Sequence, residues 1–440
     1  MPVLDPPKNF TGKLRYLGPG FILSAAIVGS GELIATTSLG AKAGFVTFWV
    51  ILVSCFVKVA VQLEFGKNAI YSGAFTMENF NRMPGPKFGK AHWSIWLWLS
   101  LQGLKLLQVG GIIGGAAIVL HMMFPFLSVN IWALVAAVAT SFLVYRGYYG
   151  PIEKGALVMI ILFTCIVLLS LVLLQYTPDA LTWQDIREGL SFQLPAYAVV
   201  FAIGAFGITG VGGDEIMYYN YWCIEKGYAT YTGPDDGTPE WAERAKGWIQ
   251  VMYLDAFLSM VVYTIVTAAF YLLGAALLHG GAGVPEGYDM IGTLSTIFTQ
   301  TLGPWSEIVF LIGAFFVLYS TLFTATASWA RLWGDAFSQL GWIKFSTRQE
   351  QMKVIGIFSW IFPVTWCLLF WFVQAPVMMV ILGGIATSIL LLLVVWAAYI
   401  FRYRFLPVSL RPTPVYDIFF WMSISSILAI SLYGLVQVMS

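Results

Sequence analysis

Long apolar runs separated by short polar segments dominate this chain. They fall near 18–40, 45–71, 92–121, 130–145, 155–175, 192–222, 247–278, 303–330, 354–373, 376–401 and 415–438. A helix needs about 20 apolar residues to cross the hydrocarbon of a bilayer. The fourth run is short, and the ninth and tenth are separated only by Gln374-Ala375-Pro376. Only helices and closed barrels satisfy their backbone in lipid, and runs of this length are helical ones. The pattern therefore predicts an all-α membrane protein with eleven spans. Composition agrees: 59% of the 440 residues are hydrophobic and 10% charged, against about 25% charged in a soluble domain.

Charge sets the expected orientation. With the N-terminus in the cytoplasm, Lys42 and Arg187 fall outside, and Lys58 and Lys105 fall within spans. All others of the 23 lysines and arginines lie in the cytoplasmic segments. Such asymmetry is the positive-inside rule, and it places the C-terminus outside. The expected location is an inner or plasma membrane of bacterial type. The leading residues are polar and proline-bearing, so no cleavable signal peptide is expected. A net charge of +1 suggests no nucleic-acid partner. Cys55, Cys165, Cys223 and Cys367 form no CxxC pair, so neither a disulfide framework nor a zinc site is expected. Nothing in the sequence specifies an oligomer, and no resident cofactor is implied.

The first and sixth runs share a pattern. Ala25-Ala26-Ile27-Val28-Gly29-Ser30-Gly31-Glu32-Leu33-Ile34 parallels Gly207-Ile208-Thr209-Gly210-Val211-Gly212-Gly213-Asp214-Glu215-Ile216. Each is an apolar half-helix, a glycine-rich interruption, an acid, and a second half-helix. An offset of five spans inverts the two copies across the membrane. One domain, 1–440, is expected, with repeat one over about 18–175, repeat two over about 192–401, and an extra helix at 415–438. Paired interrupted helices at corresponding positions point to a transporter's central site. Glycines loosen a helix by about 1 kcal/mol each, and unwound backbone is tolerated in a membrane only where it lines a cavity or meets protein. Gly110-Gly111 with Gly114-Gly115, and Gly383-Gly384, are expected to be helix-packing surfaces instead.

Acids inside a membrane are costly and become functional candidates. Glu32, Asp214 and Glu215 follow the breaks, where N-capping is their bland role. The expected ion or solute site is Gly29, Ser30, Gly31 and Glu32 with Thr209, Gly210, Val211, Gly212, Gly213, Asp214 and Glu215. Should the cargo be a metal, as the resemblance described below implies, Glu32, Asp214 and Glu215 are its expected ligands. Three close acids need a counter-charge, and a metal, a cationic solute, protons or Lys105 would supply one. Gln102, Lys105 and Gln108 follow one helical face and form a polar stripe toward the interior. Asp255 and Gln250 in the seventh span are further candidates. Lys58 and Glu64 in the second lie near enough to its ends that snorkelling competes with a functional role. Thr321, Thr324, Thr326 and Ser328 either line a pathway or bond their own helix.

These residues carry a resemblance. The architecture resembles the LeuT-type fold of the amino acid–polyamine–cation superfamily: a five-plus-five inverted repeat with an eleventh helix, helices 1 and 6 broken. Leu17-Gly18-Pro19-Gly20-Phe21 through Phe45, and Gly204-Ala205-Phe206-Gly207-Ile208-Thr209, resemble the natural-resistance-associated macrophage protein (Nramp) family. That resemblance implies a proton-coupled importer of divalent metals. The family carries Asp-Pro-Gly-Asn at the first break, where this chain has Gly29-Ser30-Gly31-Glu32. It carries Met-Pro-His at the second, where this chain has Val211-Gly212-Gly213. The soft sulfur ligand is thus replaced by an all-oxygen set, which suits manganese- or magnesium-like ions.

Two cargo readings follow: a divalent cation, or a small organic solute with the carboxylates as proton or sodium sites. A third reading, an intramembrane enzyme, needs a nucleophile–base pair or a metal motif and is not expected. The three histidines, His92, His121 and His279, fall near span ends, and no HExxH or GxSxG motif occurs. A non-transporting structural protein would have no need of acids beside broken helices. The lipid bilayer and a small ion or solute are the expected partners.

Overall fold

Apolar runs of spanning length become helices here because helix formation satisfies every backbone group within the run. The computed structural model describes residues 3–29, 31–280 and 289–439. Among these, eight helices are long and apolar enough to cross a membrane, joined by a bent pair at the first span and a shorter apolar helix, Val129–Val144. The short fourth run is therefore helical, though it has only 16 residues. The narrow join at Gln374 is also real. Gln374 takes a left-handed conformation, φ 49°, ending helix Arg348–Val373, and Pro376 opens helix Pro376–Ile400.

Several boundaries differ from expectation. The sixth span begins at Val199, after a short turn at Ala196–Ala198, and runs to Lys226 rather than to 222. The seventh span starts well before its apolar run: one helix, Pro239–Leu278, carries through the whole of it. The eighth is similarly long, Trp305–Leu340.

The helices pack as two intermeshed groups. The first span lies against the sixth, seventh and eighth, and the second against the sixth and seventh. The third packs on the fourth, eighth, ninth and tenth. The ninth and tenth meet the third through the glycines expected to pack. A Cβ at Gly111 would stand 2.4 Å from the Pro376 carbonyl, one at Gly114 2.4 Å from Phe370, and one at Gly383 2.1 Å from the Gln108 side chain. Backbones approach because these positions carry no side chain.

Both expected breaks are present. The first span runs Pro19–Ile27, leaves the helix at Val28, and resumes at Gly31 as a π-helical turn that passes into Thr37–Ala43. The two pieces are bent by 48°. The sixth runs Val199–Ile208 and resumes at Gly213. Between them Gly210 has φ 69°, a left-handed geometry open to glycine at little cost. The second span is interrupted too. Helices Phe48–Val57 and Val59–Ser72 meet at Lys58.

Candidate functional site

A broken helix exposes carbonyls at the end of its first half and amides at the start of its second. In lipid each needs a partner. The end of the first half-helix of span 1 is served by Thr321, whose hydroxyl lies 3.2 Å from the carbonyls of both Ala26 and Val28. The end of the first half-helix of span 6 is served from the second span. The Ser54 hydroxyl lies 3.1 Å from the Phe206 and Thr209 carbonyls. The Lys58 ammonium donates to the same two oxygens at 2.5 and 2.7 Å. Thr209 returns its own hydroxyl to Ser54 at 2.9 Å.

The acids then take three separate positions. Glu32 is buried and its Oε2 accepts from the Gly29 amide at 3.0 Å, which is capping across the break. Its Oε1 is buried without a hydrogen-bond partner among the described residues, and Lys58 lies within electrostatic reach. Asp214 turns toward the third span. There it accepts from the Trp98 indole at 3.0 Å and pairs with Lys105 at 3.4 Å. Glu215, the next residue along, is only partly buried and accepts from the Tyr218 hydroxyl at 3.0 Å.

A cavity of about 50 Å³ lies between the breaks. Gly29, Gly31, Gly210 and Gly212 form one wall, and Glu215 is the acid in its lining. Lys105, Gln108, Tyr218, Thr321, Trp329 and Thr387 form much of the rest. The glycines make room for this geometry. A Cβ at Gly29 would stand 2.2 Å from the Thr321 hydroxyl, and one at Gly212 2.3 Å from Glu215. Lys105 donates to the Thr387 hydroxyl at 2.7 Å, so its charge is held at the wall between Asp214 and the cavity.

Several sequence expectations are corrected by this placement. Glu32, Asp214 and Glu215 do not converge, and no group of three histidine, cysteine or acidic side chains that could hold a metal occurs among the described residues. The reason is side-chain direction. Glu32 folds back onto its own break, and Asp214 and Glu215, adjacent on a helix, point about 100° apart. Thr209, Val211 and Gly213 pack away from the cavity, and Ser30 lies outside the described residues.

Of the polar stripe, Lys105 and Gln108 reach the cavity, while Gln102 bonds its own helix at the Trp98 carbonyl. Asp255 is no part of the cavity. It accepts from the Gly18 and Gly20 amides at 2.7 and 2.6 Å, capping the opening turn of the first span. Gln250 accepts from Lys13 at the surface. Thr324 and Thr326 bond their own helix, and Thr321 alone of the eighth-span hydroxyl group lines the cavity.

Snorkelling fails for both second-span residues. Lys58 is 0% exposed. Glu64, at 1%, lies in a buried ion cluster with Lys67 and Arg402. Sequence reasoning missed Ser54, Tyr218, Trp329 and Thr387. For Ser54 a signal existed: it lies one helical turn before Lys58, on the same face.

Comparison with known proteins identifies the fold and the family. The chain is 26% identical over 344 residues to the divalent metal cation transporter MntH of Bacillus subtilis, covering 77% of this chain and 73% of that protein. It is 24% identical over 316 residues to the MntH of Mycobacterium leprae, covering 70% and 67%. Its structure superposes on the manganese transporter of Eremococcus coleocola with a TM-score of 0.72 at 15% identity, covering 99% of this chain and 88% of that one. The LeuT-like five-plus-five plan with broken first and sixth helices is thereby shown. Residues 20–437 match the family described as natural resistance-associated macrophage protein-like. It is to that family that this chain belongs.

Proposed function

We propose that the chain is a secondary active transporter of a divalent metal cation of manganese or magnesium type, coupled to protons and working by alternating access. Glu215 would be the acid that meets the cargo. The observation that carries this reading is which acid faces the cavity. Asp214 is engaged by Lys105 and the Trp98 indole, and Glu32 by the Gly29 amide at its own break. Glu215 is the acid in the cavity lining, beside Gln108, Tyr218, Thr321 and Thr387. A carboxyl group set among amide and hydroxyl oxygens favours a hard cation over a soft one.

The membership of the family and the likeness to proteins named as divalent metal and manganese transporters support the same cargo class. Glu32 and Asp214 take the role of supporting acids, holding the first break and Lys105. The N-terminus would face the cytoplasm, and the helical bundle would rock about the cavity.

A small organic solute is the second reading, and Lys105 favours it. An ammonium in the cavity wall repels a metal and attracts a carboxylate. The cavity volume weighs the other way. About 50 Å³ holds a few waters or a small, partly hydrated ion, whereas a cavity that takes benzene measures about 150 Å³.

Calorimetric titration of the purified protein with manganese and with magnesium separates the two readings. Binding to the parent that Glu215→Gln abolishes supports the cation. No heat from either ion, in protein shown to be folded, transfers the site to an organic solute.

A further inference from the structure

Lys58 has no task in the reading above beyond its charge. Yet its ammonium is completely buried and lies at the carboxyl end of the first half-helix of span 6. Four backbone carbonyls are left without partners at any helix end, and the end carries about half a negative charge. Unwound carbonyls at such ends are where transporters of broken-helix design hold small cations. Here two of those carbonyls, Phe206 and Thr209, are met at 2.5 and 2.7 Å by Lys58, with the Ser54 hydroxyl at 3.1 Å from each. The acids facing this ammonium are Glu32 across the first break and Glu215 from the cavity, with the Cys55 thiol beside it on its own helix. Oxygen donors, a helix end and a nearby carboxylate are the makings of a monovalent cation site. The tail of a lysine fills it.

We propose that Lys58 is a resident cation, doing covalently at the sixth-span break what a bound sodium ion would do there. The chain therefore needs no sodium at this position. Removing the side chain vacates an oxygen-lined space that a free monovalent cation then occupies. This inference deepens the transport reading but does not depend on which cargo is carried. Its test reads stability, so its failure is distinct from a failed metal titration.

Thermal denaturation of the full chain in detergent is compared in sodium chloride and in choline chloride, for the parent, Lys58→Ala and Lys58→Met. The parent melts at the same temperature in both salts. Lys58→Ala melts several degrees lower in choline and regains most of that loss in sodium. Lys58→Met, whose unbranched apolar chain fills the space, is destabilised and gains nothing from sodium. If Lys58→Ala folds only when purified in sodium, that outcome also supports the resident cation. If Lys58→Ala is unresponsive to sodium or unfolded in both salts, or if Lys58→Met is as stable as the parent, the proposal is overturned.

Discussion

The first span's opening half-helix ends on a hydroxyl, while the sixth span's ends on an ammonium. Thr321 shares one proton between the Ala26 and Val28 carbonyls. Lys58 and Ser54 bring a full charge and a second hydroxyl to Phe206 and Thr209. The two breaks match in sequence pattern and topology, yet their caps differ by a unit of charge. A neutral shared bond is worth about 1 kcal/mol and can be exchanged with water. A buried charge on two carbonyls is expensive to strip of its partners. The first break should thus be the easier of the two to rearrange, and the sixth the more firmly tied.

The largest effect should come from the firmer break. Lys58→Met removes the charge and leaves two carbonyls short of donors, at a cost of about 3–5 kcal/mol; chemical denaturation in detergent measures it, and a loss under about 1 kcal/mol would erase the contrast. Next, Glu215→Gln should weaken manganese or magnesium binding about 100-fold, near 2.7 kcal/mol, by calorimetry. Binding unchanged by this variant would move the cargo away from the cavity acid.

Gly29→Ala places a Cβ 2.2 Å from the Thr321 hydroxyl, and overpacking of this kind costs about 1–3 kcal/mol. Combining it with Thr321→Val sharpens the comparison. Both changes act on one contact, so their effects should fall short of adding; strict additivity would separate that glycine from the cap. The smallest effect belongs to Thr321→Val alone, about 1 kcal/mol of stability, with transport in proteoliposomes largely retained.

The spans and both breaks were legible because each rests on a local property. Apolar length is read along the chain, and so is a glycine cluster beside an acid. The separation of Glu32, Asp214 and Glu215 was not legible. It depends on Trp98 and Lys105, which lie more than a hundred residues from Asp214 in sequence and draw its side chain away from its neighbour. Lys58 lay between readable and hidden. An isolated lysine between Val57 and Val59, near the middle of an apolar run, should have argued against snorkelling. Which carbonyls it meets is set by the sixth span and by nothing nearby in the chain. Asp255 shows the same limit. Its place in the seventh span marked it as functional, and only the packing of the first span made it a cap.

The seventh-span helix, Pro239–Leu278, has 40 residues and so is about 60 Å long, twice the hydrocarbon thickness of about 30 Å. It is a lever longer than the hydrocarbon layer is thick. A tilt of about 10° moves a point 30 Å along such a rod by about 5 Å. Near its Pro239 end, Trp241, Arg244 and Trp248 hold the carbonyls of Gly233, Thr232 and Leu4, so the loop and the N-terminal segment ride on that arm. Small rotations too slight to notice at the cavity would be magnified there, where a fluorophore or a binding protein could report them.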